Sequence, residues 1–412
     1  MAQITTPAPR CSAGSTRTAS ARVRSTYAAH VKNSHITSVH VLRGVAALLV
    51  VWAHLSAYWL FTIGETSTIQ DAWTNAIAGP LHVYQNGGFV GVLIFFLISG
   101  YIVTHASMSE SRLSYLTKRV FRIFPPLLFA LAVLWVLMHA MVALGFQLRT
   151  FEGGPPVRWL LSVLLVDGFI PGPMILSVTW TLSVEILFYA LILAVITKQR
   201  DHPLGTTAAI AATWAIASFA SLYIPAFDQT PEARFDAHGV LFIVGVLLVG
   251  RCIYLAHTRL SSRPAATALA LGIAVSVGTL QEMNAPGFLL APGGFTDTEP
   301  ILGYATALIV FIAMLWWSPA HAVRPLRWLG DTSYSLYLLH MPVGFATLGV
   351  LYRYDVPNSL ATLIAIAASL LAARVGYVLV ERPSQRLART LLKRSSISPN
   401  PPLAHVGVGD LV

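Results

Sequence analysis

Apolar residues in this chain fall in long unbroken runs, not in the alternation of half-buried strands or the single stripe of surface helices. Runs of spanning length cover roughly 39–61, 88–107, 127–146, 178–197, 206–225, 238–256, 265–281, 301–317, 332–351 and 358–380. A helix of about 20 apolar residues crosses the hydrocarbon core of a bilayer. The pattern therefore predicts an all-α fold, a polytopic transmembrane helical bundle of about ten spans. One more run, 158–170, is too short to cross and reads as a re-entrant or interfacial segment, which lipid tolerates only under a cover of protein or water. No internal repeat of fixed period is evident, nor are paired broken helices in two matching halves, which weighs against a transporter.

Composition sharpens this picture. Of the 412 residues 55% are apolar and only 11% charged, and the mean hydropathy is +0.67, which excludes an ordinary soluble domain. The net charge of +10 would suit nucleic acid if it were gathered in one patch, but the basic residues are divided among short connections between apolar runs. Membrane topology explains them better, and no nucleic-acid partner is expected. With ten spans and a cytosolic start, all but Arg149, Arg158, Arg234, Arg353 and Arg374 of the 27 Lys and Arg residues fall on the inner side. Counting 158–170 as a full span would invert every later loop. Both termini are then expected in the cytoplasm, with residues 1–38 a disordered basic tail, 39–383 the membrane domain and 384–412 a second tail. Cys11 and Cys252 have no metal-ligand spacing and lie on or near one side, so neither a metal site nor a disulfide framework is expected.

A polar side chain inside a span costs a few kcal/mol and needs a partner, a cavity or a task. Arg43 stands at the cytosolic mouth of the first span, and His54, eleven residues on, lies about 16 Å deeper at 1.5 Å rise per residue. Eleven residues are close to three turns, so both are expected on one face, lining one channel. Ser99, in Phe95-Phe96-Leu97-Ile98-Ser99-Gly100-Tyr101, reaches similar midplane depth. Lys118-Arg119-Val120-Phe121-Arg122-Ile123-Phe124-Pro125-Pro126 reads as a basic cytosolic turn ended by prolines, either a phosphate receiver or a positive-inside anchor. Glu185, in Trp180-Thr181-Leu182-Ser183-Val184-Glu185, lies about 10 Å below the outer face, and His340 about 12 Å in from the cytosol. Each histidine alone is readily a hydrogen-bonded helix contact. Two at one depth, with Glu185 and Arg43, suit acyl or proton transfer, because neutral imidazole accepts a hydroxyl proton near pH 7.

Taken in order, these segments resemble the acyltransferase 3 family of bacterial membrane O-acyltransferases, over about residues 39–383. The resemblance rests on Arg43-Gly44-Val45-Ala46-Ala47 with His54 ten residues beyond the arginine's neighbour, Phe95 to Gly100, Arg119 with Arg122-Ile123-Phe124-Pro125, Trp180 to Glu185, and Ser333-Tyr334-Ser335-Leu336-Tyr337-Leu338-Leu339-His340. It implies an enzyme of the bacterial inner (plasma) membrane, an acyl-CoA donor (usually acetyl-CoA) arriving from the cytosol, and a hydroxyl of a sugar, cell-envelope glycan or macrolide-like metabolite as acceptor. It further implies His54 as general base, with an acyl-imidazole as the variant, and Arg43, Arg119 and Arg122 on the CoA phosphates. Glu185 and His340 would orient or relay a proton, and Ser99 would donate to the thioester oxygen or serve only as a helix contact. Some relatives carry a fused extracytoplasmic hydrolase-like domain that completes transfer; this chain runs about 30 residues past its last span, so it is expected to act alone or with a separate partner protein. A transporter exporting a lipid, sugar or acyl donor through the same polar residues is the rival reading.

Overall fold

The computed structural model describes residues 37–81, 83–146, 154–170, 172–223, 237–258, 260–283, 300–316 and 324–395. Of the two expected tails, residues 1–36 and 396–412 lie outside them, while 384–395 continue the last helix. Ten long helices organise the rest: α1 (Thr37–Ile63), α2 (Gln85–Ser109), α3 (Arg112–Ala143), α4 (Ser177–Val195), α5 (Pro203–Ser221), α6 (Gly239–Thr258), α7 (Arg263–Leu280), α8 (Pro300–Trp316), α9 (Arg324–Arg353) and α10 (Asn358–Lys393). All but α8 are long and apolar enough to cross a bilayer, and α8, with 17 residues, is only slightly short of it. No strand occurs among the described residues. The chain is a polytopic helical bundle.

α2, α6 and α9 form its interior, with 78%, 72% and 72% of their apolar cores buried, against 22% for α7 and α10. α6 lies along α2 and carries α5 and α7 on its flanks, α9 lies along α10, and α3 crosses both α9 and the end of α10. Between lipid-like side chains there is no hydrophobic gain on helix association, so close backbone approach supplies the contact. It is closest where α2 crosses α6. A Cβ on Gly100 would meet the carbonyl oxygen of Leu247 at 2.0 Å, and one on Gly250 would meet that of Leu97 at 2.3 Å.

The basic segment of α3 departs from expectation. Lys118 to Pro126 is not a turn: Pro125 and Pro126 lie inside one helix of 32 residues. A proline at position 125 has no N–H for the carbonyl of Phe121, four residues back. That carbonyl is instead met by the hydroxyl of Ser384 on α10, at 2.9 Å, and the phenol of Tyr334 on α9 donates to the Ile123 carbonyl at 3.2 Å. The Ser384 hydroxyl thus replaces what Pro125 removes, the Tyr334 phenol ties the next turn to α9, and the helix continues.

Segment 158–170 is short, as expected. It is a helix over Pro156–Val163, a turn through Leu165 in the left-handed region (φ 58°), and a 3₁₀ turn over Asp167–Phe169. Eight helical residues cannot cross a bilayer. Asp167 is fully buried and accepts from the Ser162 hydroxyl at 2.5 Å. Burial pushes its carboxyl above the ordinary aspartate range, with the Ser162 bond pulling the other way.

Two outcomes follow from the packing. Gly100→Val should lower stability by about 3 kcal/mol, the upper end of overpacking costs, seen as a lower melting temperature of the detergent-solubilised protein. An unchanged melting temperature would mean the α2–α6 crossing is not this close. A carboxyl raised in the fold supports stability while it is protonated, and that support is lost as pH rises through its folded pKa. Asp167→Asn keeps an oxygen for Ser162, so its melting temperature should exceed that of the parent at about pH 8 and converge with it towards about pH 4.

Candidate functional site

A cavity of about 250 Å³ lies where α1, α2, α3, α4 and α9 meet. At about 30 Å³ per liquid water this is room for roughly eight, enough for a narrow chain. Its walls include Arg43, Ser99, Arg119, Arg122 and Glu185, together with His40, Tyr189 and Tyr337. Five of the seven side chains singled out from sequence thus meet around one space.

They come from four helices, Arg43 from α1, Ser99 from α2, Arg119 and Arg122 from α3 and Glu185 from α4. Arg43 donates from Nε to the Ser333 hydroxyl and from Nη2 to the Gly330 carbonyl, both at 2.8 Å. α1 and α9 come this close because Gly44 has no side chain; a Cβ there would meet the Gly330 nitrogen at 2.8 Å. Arg119 lies over two phenol rings, 4.8 Å from Tyr115 and 5.3 Å from Tyr189, a cation–π seat for a guanidinium that is 8% exposed. Glu185 receives two hydroxyls on one oxygen, Ser99 at 2.6 Å and Tyr189 at 2.5 Å. Ser99 therefore gives its proton to Glu185, which leaves none for a thioester oxygen in this arrangement. Tyr189, four residues after Glu185, was not singled out from sequence; i to i+4 spacing on one helix is the signal that points to it.

His54 and His340 do not line this cavity. Their rings lie 5.1 Å apart, with His340 Nε2 at 3.4 Å from His54 Nδ1, so the expectation of similar depth holds. The single channel shared by Arg43 and His54 does not. Tyr337 stands next to His340 at the cavity wall: its ring lines the cavity, packs edge-on against Phe95 at 5.5 Å, and lies 6.0 Å from the His340 ring. Its hydroxyl is tied to Thr181 at 2.9 Å and to the Val178 carbonyl at 3.1 Å, which holds the ring across the space. The helix register also changes here, because Ala53–Tyr58 is a π-helical turn, a feature frequent at functional sites.

The proton positions of the pair follow from its acceptors. A carbonyl oxygen only accepts, so a ring nitrogen bonded to one must carry hydrogen. His54 Nδ1 lies 2.8 Å from the Val50 carbonyl, and His340 Nδ1 lies 2.8 Å from that of Tyr337. Both rings are therefore Nδ1–H tautomers. His340 Nε2 offers its lone pair to the His54 Nδ1 proton, and His54 Nε2 is left with an uncommitted lone pair. Such a nitrogen serves as a base or a nucleophile. No group of three or more potential metal ligands is found among the described residues.

A helical membrane bundle with a paired imidazole beside an arginine-lined cavity has the parts that intramembrane group transfer needs. Residues 36–378 match the acyltransferase domain of the acyltransferase 3 family, and the chain belongs to that family. It is similar to the peptidoglycan O-acetyltransferase OatA of Listeria monocytogenes, 24% identical over 394 residues, covering 85% of this chain and 56% of that protein. This chain thus spans little more than half the length of that relative. It is 27% identical over 317 residues to the exopolysaccharide production protein ExoZ of Rhizobium meliloti, covering 73% of this chain and 91% of that one. It is 24% identical over 395 residues to the acyltransferase MdmB of Streptomyces mycarofaciens, covering 85% and 92%. No solved structure matches the chain.

The tautomer assignment has a direct spectroscopic consequence. ¹⁵N spectra of histidine-labelled protein should show the proton of His54 and of His340 on Nδ1 and a lone pair on Nε2, lost selectively in His54→Ala and His340→Ala. A proton found on Nε2 of His54 would remove the free lone pair.

Proposed function

We propose that the protein is a membrane O-acyltransferase that moves an acyl group, acetyl in the first instance, from acyl-CoA to a hydroxyl of a sugar, a cell-envelope glycan or a macrolide-like metabolite. One observation carries this reading: the uncommitted Nε2 of His54, backed by His340, beside a cavity with three arginines and one acid among its walls. The arginines suit the phosphates of CoA, since guanidinium groups match phosphate oxygens in pairs. A cavity this narrow suits the chain that bears the thioester, with the nucleotide held at the mouth. Relatives whose names specify peptidoglycan O-acetyl transfer, exopolysaccharide production and acyl transfer support a hydroxyl acceptor.

The chemistry then runs in one sense. His54 Nε2 takes the proton of the acceptor hydroxyl as its oxygen attacks the thioester carbonyl carbon; the tetrahedral centre collapses, the carbon–sulfur bond breaks, and the imidazolium returns its proton to the departing thiolate. His340, through its lone pair, holds the His54 ring and shares the positive charge that develops on it. Glu185 sets the charge of the cavity together with Arg43, Arg119 and Arg122. For the thioester to meet His54 the Tyr337 ring must turn aside, so Tyr337 separates the bound donor from the imidazole until then. In this reading the domain spans 39–383 in the inner membrane of a bacterium with both tails in the cytoplasm. Its partners are the bilayer, acyl-CoA, the hydroxyl-bearing acceptor and, for glycans beyond the membrane, a separate extracytoplasmic protein.

Purified protein given [¹⁴C]acetyl-CoA and a panel of hydroxylated acceptors should transfer label to one acceptor class, and His54→Ala should abolish transfer, at least 10³-fold down, while still eluting as a folded species. Retained activity in that variant would reject the base, and transport of an unmodified solute without any acylated product would reject the enzyme.

A further inference from the structure

One buried acid has no part in this scheme. Glu381 is 3% exposed and ends the π-helical turn Tyr377–Glu381 of α10. A wider turn of the same kind in α1 carries His54. Glu381 accepts from the Ser335 hydroxyl at 2.6 Å on one oxygen and from the Gln385 amide at 3.3 Å on the other. Ser335 belongs to the same stretch of α9 that holds Arg43 through Gly330 and Ser333. The carboxylate stands behind the wall that holds Arg43 and Arg122: its partner Ser335 is two residues from the Ser333 that receives Arg43, and Ser384, three residues on from Glu381, meets the Phe121 carbonyl next to Arg122. It does not line the cavity.

Three arginines facing one cavity acid give an excess of positive charge in a medium that screens it poorly. Such a site binds a polyanion well and releases it badly, and the thiol product carries the same phosphates as the donor. A second carboxylate behind the wall weakens the field without occupying the space. We propose that Glu381 is a buried counter-charge that holds down the affinity of the arginine cavity for CoA, so that the free thiol leaves after transfer. Glu381 touches neither donor nor acceptor and acts only through Arg43 and Arg122. The inference rests on acyl-CoA being the donor, as proposed above.

Glu381→Gln isolates the charge, because an amide can still accept from Ser335 and face Gln385. Binding of free CoA to the purified full chain in detergent micelles, measured by titration calorimetry, should tighten by about tenfold in this variant. In turnover, KM for acetyl-CoA and kcat should fall together, the pattern of stronger uniform binding with slower product release. Ser335→Ala, which removes the hydrogen bond and keeps the charge, should leave CoA affinity within about twofold. Unchanged or weaker CoA binding by Glu381→Gln overturns the inference, as does an equal gain in Ser335→Ala, which would trace the effect to packing. Failure of the parent protein itself to bind CoA would reject the donor, and this inference would fall with it.

Discussion

Inside an apolar bundle a polar group must find its partner on its own helix or a neighbouring one, because neither water nor a loop is there to supply one. Tyr189 and both histidines find one within their own helices, and the remaining bonds of the site run between helices. Arg43 of α1 is met by α9, Ser99 of α2 by α4, Glu381 of α10 by α9, and Tyr337 of α9 by the start of α4. α9 takes part in most of these bonds, which is why the helix that carries His340 is also among the most buried. The bonds that satisfy the polar groups are the same ones that set their geometry, so the fold and the site cannot be adjusted separately.

The spacing of apolar runs was enough to read the bundle, since lipid admits so few other solutions, and a fixed rise per residue was enough to bring His54 and His340 to one depth. What sequence could not reveal are contacts between residues far apart in the chain. Ser99 and Glu185 are 86 positions apart, and nothing local says that the serine spends its proton on that acid. Pro125 and Pro126 read as a stop because local rules make them one, and only the Ser384 hydroxyl, 263 positions from the Phe121 carbonyl it meets, reverses the outcome. Tyr337 looks like one more core aromatic until its hydroxyl is seen tied across the cavity.

The division of the site into an arginine cavity and an imidazole pair bears on side reactions. A thioester held where an activated water could also reach it would be hydrolysed, and exclusion of water from reactive intermediates is one of the main uses of a closed site. In the proposed scheme an aromatic ring between donor and base would make their meeting conditional on a movement.

The repair of α3 by α10 has a further consequence for biogenesis. Membrane helices insert as the chain is made and assemble afterwards. The Phe121 carbonyl stays unsatisfied through the insertion of every intervening helix, until the last one supplies the Ser384 hydroxyl. The segment bearing Arg119 and Arg122 is thereby completed only when α10 docks, and a nascent chain interrupted before α10 carries an unmet carbonyl in a helix that walls the arginine cavity.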